Sequence, residues 1–167
     1  MFAKTFTLGL KPNCPGNIGS DNLHTCFAHK MYGENFKMIR KPLFPKNSKI
    51  SAEQIKVSPG IISGNHVFLT GLTGSLPDGS MPSNLEEQFR SAFDKIGLVL
   101  NEAGLTHGSI VEMTSYHIGL REHFDLFNRI RSEYVSAPYP TWTAIEVAGL
   151  RREGAVVEIR VIAAIEE

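Results

Sequence analysis

Hydrophobic and polar positions follow two different periods along most of this chain. Five stretches are rich in strand-forming residues and predict β-strands: residues 50–57, 66–70, 110–118, 142–147 and 156–165. Between residues 85 and 99, and again between residues 124 and 134, apolar residues recur three or four positions apart, which predicts two amphipathic helices. The predicted order is β-β-α-β-α-β-β, a mixed α/β (α+β) domain built on a single sheet.

Signals at the helix ends support these assignments. Ser83 and Glu86 have the spacing of a capping box at the start of the first helix, and Asn84 is an alternative cap. Gly104 is expected to follow the end of this helix, and the second helix is expected to end before Pro138. Four phenylalanines lie at helical spacing and are expected in the core: Phe89, Phe93, Phe124 and Phe127.

Both helices are expected to pack on the same face of the sheet. The opposite face then needs cover of its own, because a half-apolar sheet is stable only when its apolar positions are buried. We therefore expect this face to pack against other copies of the chain.

The first 49 residues show no sustained period and are interrupted by proline and glycine, so they predict an extension, 1–49, before a domain at 50–167. The extension carries eight Lys or Arg and two Asp or Glu, a net charge of +6, which leaves −6 on the domain. Two interpretations stay open: a solubilising extension, or an arm that docks on an anionic partner or on the domain itself. The acidic domain makes nucleic-acid binding unexpected.

Cysteine use and hydropathy predict a cytoplasmic protein. No apolar run approaches the roughly 20 residues of a membrane helix, and Cys14 and Cys26 are too few for a disulfide framework. His24, Cys26 and His29 are potential metal ligands, but no second cluster completes a tetrahedral site, so no metal centre is predicted.

Four stretches, in this order, resemble the Rid family (reactive-intermediate deaminases, also called the YjgF family). They are GNHVFLTG at 64–71, LEEQ at 85–88 with EAGL at 102–105, IVEMT at 110–114 with residues 124–128, and IEVAGL at 145–150 with GAVVEI at 154–159. The resemblance implies a homotrimer with a barrel of the chorismate-mutase-like type, and a small-molecule site in each cleft between subunits.

The resemblance also implies a chemistry that uses neither metal nor cofactor. Active Rid proteins hydrolyse imines and enamines released by pyridoxal-phosphate enzymes. An arginine fork holds the substrate carboxylate through two charge-assisted hydrogen bonds. A water held by backbone groups and a glutamate attacks the imine carbon.

The family's site residues carry over incompletely. Trp142 stands where the resemblance places the arginine, after Pro140, and Glu158 matches the water-holding glutamate. The other positions implied for substrate binding are Thr70, Gly71, Asn128, Thr143 and, for a tyrosine of the first strand, Val57. An indole carries no charge and has one donor, so Trp142 cannot replace the fork. It offers a flat apolar wall suited to an aromatic, heterocyclic or uncharged ligand, or it is simply a packing residue at a subunit interface.

Three further side chains have two interpretations each. Glu158 is either a solvated strand residue or a cleft residue that holds water. Arg160, two positions later on the same strand face, forms a surface ion pair or serves as a replacement carboxylate anchor. His117 is an ordinary hydrogen-bonded histidine, or it flanks the cleft together with Tyr116.

The sequence thus predicts a hydrolase acting on an imine, enamine or related C–N bond, with specificity altered by Trp142 and little activity on 2-iminoacids. The alternatives are a non-catalytic trimer that binds a small metabolite and, less favoured, a protein that binds nucleic acid or a partner through its basic arm.

Overall fold

The helices and strands belong to a computed structural model that describes residues 40–46 and 48–165. The strands are β1 (Arg40–Leu43), β2 (Gly60–Ser63), β3 (His66–Leu69), β4 (Leu72–Thr73), β5 (Ile110–His117), β6 (Thr141–Glu146) and β7 (Val157–Ala164). The α-helices are α1 (Lys49–Ile55), α2 (Leu85–Asn101) and α3 (Leu120–Tyr134), with a short 3₁₀ turn at His107–Ser109. No helix in this described part is long and apolar enough to cross a membrane.

All seven of these strands form one sheet in the order β1-β2-β3-β7-β5-β6, with β4 paired to β7. β5 and β6 are parallel because α3 carries the chain back between them, and the other pairs are antiparallel. β6 therefore lies at one edge of the sheet. The mixed α+β architecture agrees with the predicted fold class.

The core lies between one face of the sheet and the helices α2 and α3. Every second residue of β7 is buried on this face, from Val157 through Ala163, and the residues between them are only half-buried. Phe89 and Phe93 of α2 and Phe127 of α3 fill the space opposite, each with no exposed surface. Burial of such large aromatic side chains supplies much of the hydrophobic stabilisation. The predicted packing of both helices on one face is confirmed.

The N-terminus of α2 is capped by Asn84, the alternative cap, and not by the predicted capping box of Ser83 and Glu86. The side chain of Asn84 accepts a hydrogen bond from the backbone N–H of Glu87 at 3.2 Å, and Asn84 itself has extended backbone angles. That oxygen satisfies one of the donors that a helix leaves open at its first turn. At the other end, α2 stops at Asn101 and Gly104 takes a positive φ of 71°, as expected for a residue after a helix.

The predicted strand at 50–57 is wrong, because this stretch forms α1. The tract has Ala, Glu and Gln between its two isoleucines, which are good helix formers. Ile50 and Ile55 are 71% and 55% exposed, so the apparent strand alternation does not correspond to a buried face. The helix ends at Ile55, and the next residue, Lys56, has a left-handed φ of 56°.

Three strands were missed: β1, β2 and the two-residue β4. β1 lies inside the stretch assigned to the extension, where it pairs with β2 and buries Leu43 in the core, so residues 40–46 belong with the sheet. Pro42 suggested a loop, but proline is tolerated in an edge strand, and β1 is one. β2 pairs with β3 around a tight turn at Gly64 and Asn65, where Gly64 has a φ of 61°. Residues 1–39, with Cys14, Cys26, His24 and His29, lie outside the described residues.

Candidate functional site

Glu158 lies on the face of the sheet that the helices leave open. It is opposite Tyr116 of β5 and Thr73 of β4 in the strand register. A Cβ atom added to Gly71 would collide with the Glu158 carboxylate, so this carboxylate lies directly against the Gly71 backbone. Among the described residues Glu158 has neither a hydrogen-bond nor a salt-bridge partner. A half-buried carboxylate is a suitable acceptor for a bound water.

Thr70 and Gly71 connect this carboxylate to the segment that follows α1. The backbone N–H of Thr70 donates to the carbonyl of Pro59 at 3.0 Å. Val57, two residues before Pro59, lies after α1 and is 41% exposed, so it is not on a first strand as predicted.

Arg160 and Thr143 share the open face with Glu158. The two residues are linked through Thr114, which pairs with both of them in the sheet. The Arg160 guanidinium lies 3.5 Å from the Glu112 carboxylate, and both side chains are about 40% exposed. This is the geometry of the ion-pair interpretation, and such an exposed pair contributes little to stability.

Trp142 lies on the opposite face of the sheet from Glu158. In the register it pairs with Met113, whose side chain is in the core. Its indole N–H donates to the Ser115 hydroxyl at 2.9 Å, and its ring packs near Phe127 with centroids 6.0 Å apart. The structure therefore does not bring Trp142 and Glu158 together within one chain.

Trp142 is instead the centre of a cluster with three residues of α3. Phe124, Asn128 and Arg131 follow one another at four- and three-residue steps, which places them on one side of the helix. Phe124 stacks on the indole at 5.9 Å with only 5° between the planes, and the Arg131 guanidinium lies 4.1 Å from the ring centroid. We call Trp142, Phe124, Asn128 and Arg131 the Trp142 cluster.

Asn128 orients the cation of this cluster. Its Oδ1 accepts hydrogen bonds from Nε of Arg131 at 3.2 Å and from Nη2 at 2.8 Å. Partial burial lowers the pKa of Arg131 from its ordinary value. Sequence reasoning identified Asn128 but missed Arg131, although their three-residue spacing on a predicted helix would have placed both on one side.

The prediction for Phe124 is wrong in one respect. It is 38% exposed, so it is not a core residue like the other three phenylalanines. The reason is its position near the edge strand β6, where its ring covers the indole of Trp142 instead of the sheet interior.

His117 is in the core and does not flank an open cleft. Its exposed fraction is 0%, and its Nδ1 lies 3.1 Å from Nε2 of His123. Burial, together with the neighbouring His123, lowers the pKa of His117 to about 4, and burial also lowers the pKa of His123. Both rings are therefore neutral near neutral pH. Tyr116, the predicted companion of His117, points to the other face of the sheet, as alternation along β5 requires.

A cavity of about 970 Å³ lies elsewhere, between the outer side of α2 and the segments around Pro45 and Leu76. Lys95 lines it and donates to the Ser75 hydroxyl at 2.8 Å. Burial lowers the pKa of Lys95 to about 8, and Arg152 adds to this effect. None of the predicted site residues lines this cavity. Within the described residues, no three His, Cys, Asp or Glu side chains are grouped so as to hold a metal ion.

The family model described as Endoribonuclease L-PSP matches residues 48–165. The chain belongs to this family. The RutC family protein YjgH of Escherichia coli strain K12 is 36% identical over 129 residues, which is 77% of this chain and 97% of that protein. TdcF of the same organism, which carries the provisional name reactive intermediate deaminase, is 29% identical over 108 residues, 62% of this chain and 82% of that protein.

The solved structure of YjgH matches this fold with a TM-score of 0.70 and 34% identity, covering 77% of this chain and 98% of that one. The resemblance to the Rid (YjgF) family is therefore confirmed, and with it the mixed α+β fold. Deaminase names occur among the relatives, so an enzymatic function is in keeping with the family.

Proposed function

We propose that this protein is a small-molecule hydrolase of the Rid type, acting on an imine, enamine or related C–N bond, and that Glu158 positions the attacking water. The observation that carries the proposal is the position of the Glu158 carboxylate, which lies against the Gly71 backbone and has no hydrogen-bond or salt-bridge partner among residues 40–46 and 48–165. Any side chain at position 71 would displace this carboxylate.

The geometry suits general acid–base catalysis by one carboxylate. A water that donates one hydrogen bond to Glu158 and another to a nearby backbone carbonyl keeps a lone pair for the imine carbon. As the C–O bond forms, Glu158 accepts the proton from the water. It passes this proton to the imine nitrogen, which gives a carbinolamine. Glu158 then accepts the hydroxyl proton of the carbinolamine and passes it to the same nitrogen, so that the C–N bond breaks, ammonia or an amine leaves and the carbonyl product forms.

The site is incomplete within one chain, which supports assembly of the active form from several copies. Trp142 is on the helix side of the edge strand β6, whereas Glu158 is on the open face of β7, two strands away. A ligand can contact both kinds of residue only where β6 of one copy approaches the open face of another. We therefore propose a homotrimer with its ligand sites between subunits.

Trp142 supports a specificity different from that of relatives with an arginine on this strand. The single donor of its indole is already bonded to Ser115, so no donor of Trp142 remains for a substrate carboxylate. A 2-iminoacid carries its carboxylate directly beside the reacting carbon and depends on a correctly placed anchor. We expect imines that do not need an anchor at residue 142 to be the better substrates.

A second candidate function is a non-catalytic trimer that binds a small metabolite. The stacked arrangement of Phe124 and Trp142 favours it, because a rigid aromatic platform binds ligands without contributing to bond cleavage. We do not propose RNA cleavage, although the family description names it, because residues 50–167 carry a net charge of −6.

Hydrolysis measured with and without the Glu158 carboxylate distinguishes these functions. An amine oxidase generates imines from uncharged aromatic amines, and semicarbazide traps whatever imine remains. We expect the wild type to accelerate imine removal and Glu158→Gln to lose about 10²-fold or more of that rate. Glu153→Gln, which changes an exposed glutamate in the connection before β7, is the matched control and is expected to keep full activity. Equal rates for wild type and Glu158→Gln would contradict the proposal, and no acceleration by either would favour the binding function.

A further inference from the structure

Arg131 is a partly buried cation without an acidic partner among the residues that the structure describes. Three other arginines of the same region each have one: Arg90 and Arg129 pair with Glu86, and Arg160 pairs with Glu112. Arg131 instead bonds to the neutral amide of Asn128 and lies over an indole. Partial burial disfavours its charge, as its lowered pKa indicates. An anion at this position would remove that penalty.

The orientation of Arg131 is restrained in two directions. Asn128 Oδ1 occupies the side of the guanidinium formed by Nε and Nη2. The indole of Trp142 holds the plane of the group from one side at 4.1 Å. Nη1 has no hydrogen-bond partner among the described residues, and Nη2 has a second N–H beside the one that it donates to Asn128. Two parallel N–H donors in one plane match the two oxygens of a carboxylate.

The position of Arg131 also restricts the kind of carboxylate. The guanidinium carbon lies 4.1 Å from the centroid of the indole ring, and the Phe124 ring lies parallel to the same indole with centroids 5.9 Å apart. A carboxylate bound there can be part of an extended planar molecule that continues along the aromatic surface of the cluster. A single positive charge beside an amide favours a monoanion over a dianion such as phosphate.

We propose that Arg131 is a carboxylate-binding residue, that it supplies from α3 the cation that Trp142 does not supply from β6, and that the site takes planar aryl or conjugated monocarboxylates. That such a carboxylate is part of the substrate rests on the proposed function. That Arg131 binds a carboxylate does not depend on it. The carboxylate and the reacting C–N bond are then separated by the planar part of the molecule, unlike in a 2-iminoacid.

Binding of benzoate to the full chain tests the proposal, with benzamide as a neutral molecule of the same shape. Trp142 is the only tryptophan of the sequence, so its fluorescence reports on this cluster alone. Calorimetric titration gives the affinity independently of that signal. We expect saturable benzoate binding, and affinities for benzamide and for inorganic phosphate at the same ionic strength that are lower by about tenfold or more.

Three variants give this measurement its controls. Arg131→Gln is expected to weaken benzoate binding by about tenfold or more, and Arg131→Lys, which keeps the charge but not the fork, to weaken it less. Arg129→Gln removes a more exposed arginine of the same helix and is expected to bind like wild type. Thermal unfolding of each variant verifies that it is folded. Unchanged benzoate affinity in both Arg131 variants would overturn the assignment, and so would benzamide or phosphate binding equal to that of benzoate.

Glu158→Gln separates this inference from the proposed hydrolysis. It is expected to lose imine hydrolysis and to keep a benzoate affinity that depends on Arg131, so that adding Arg131→Gln to it weakens benzoate binding by the same factor of about ten. Benzoate binding without any imine hydrolysis would overturn the proposed function and leave the carboxylate site in place. Imine hydrolysis together with an unchanged benzoate affinity in the Arg131 variants would overturn the carboxylate site and leave the proposed function in place.

Discussion

Nδ1 of His117 lies 3.1 Å from Nε2 of His123, and the two rings form a neutral pair under the aromatic cluster of the core. His117 packs edge-on against Phe127 with centroids 4.6 Å apart, and its own Nε2 has no hydrogen-bond partner among the described residues. The arrangement holds only while both rings are uncharged, because a buried imidazolium lacks solvation and repels its neighbour.

This pair predicts a loss of stability in mild acid. Burial lowers the pKa of His117 to about 4 from an ordinary value of 6.5, so the unfolded chain binds a proton at higher pH than the folded chain. The contribution of neutral His117 to the free energy of unfolding is therefore complete above pH 6.5 and is lost as the pH falls toward 4. We expect His117 to account for up to about 3 kcal/mol of this decrease in the free energy of unfolding.

Urea denaturation at a series of pH values measures this decrease. In His117→Leu the free energy of unfolding should depend less steeply on pH between 6.5 and 4 than in the wild type, whatever the absolute stability of the variant. A slope equal to that of wild type would show that other groups cause the acid sensitivity.

Gly71→Ala should reduce hydrolysis more than it reduces stability. The new methyl group would occupy the space of the Glu158 carboxylate, which is the end of a flexible side chain and can move aside at little cost. A displacement of about 1 Å costs roughly a hundredfold in rate, so we expect a loss of that order in the imine assay. Gly149→Ala is the matched control, because no atom of the described residues, apart from its two chain neighbours, lies within 4 Å of the added Cβ. Full activity in Gly71→Ala would contradict the role of the Glu158 position.

Truncation at two positions should have different effects. The absence of periodicity before residue 40 predicts that deletion of residues 1–39 leaves the melting temperature nearly unchanged. Deletion of residues 1–49 also removes β1 and with it Leu43, which is 3% exposed. Loss of such a core leucine typically costs about 2–5 kcal/mol, so this longer truncation should melt at a clearly lower temperature. Calorimetry of both truncated chains tests the prediction, and equal melting temperatures would show that β1 contributes nothing.

Hydrolysis of 2-iminoacids generated by a serine or threonine dehydratase should be slow. Trp142 provides no charge, and the guanidinium of Arg160 is already 3.5 Å from Glu112. Semicarbazide trapping in a coupled assay should therefore be little affected by this protein. Rapid removal of the imine would refute the prediction, and its disappearance in Arg160→Ala would then identify Arg160 as the anchor.

The protein should be a trimer in solution at micromolar concentration, as measured by sedimentation equilibrium. Ile145 is 39% exposed on the open face of the edge strand, which is the surface we expect to be covered. Ile145→Glu should shift the equilibrium toward monomer, because a carboxylate is costly to bury without a partner. Leu98→Glu is the control, because Leu98 is 55% exposed on α2. This variant should remain a trimer. A monomeric wild type would contradict the proposed subunit interface.

The sequence by itself determined the two long helices and the four strands β3, β5, β6 and β7. Each is an amphipathic segment whose period is visible within a single stretch of chain, as in the buried positions 157, 159, 161 and 163 of β7. The same local evidence was misleading at α1, where two isoleucines suggested a strand. No local pattern predicted β1, because its four residues form a strand only through pairing with β2.

The faces of the site residues were decided only by the tertiary structure. Glu158 and Trp142 are both on strands, but strand register places them on opposite sides of one sheet. Nothing in the local pattern specifies which positions of β5 and β7 oppose each other. Likewise, Arg131 approaches Trp142 because the crossover through α3 lays that helix beside the edge strand. Periodicity is a property of neighbouring residues, whereas these contacts join residues that only the packing of the whole sheet and its helices brings together.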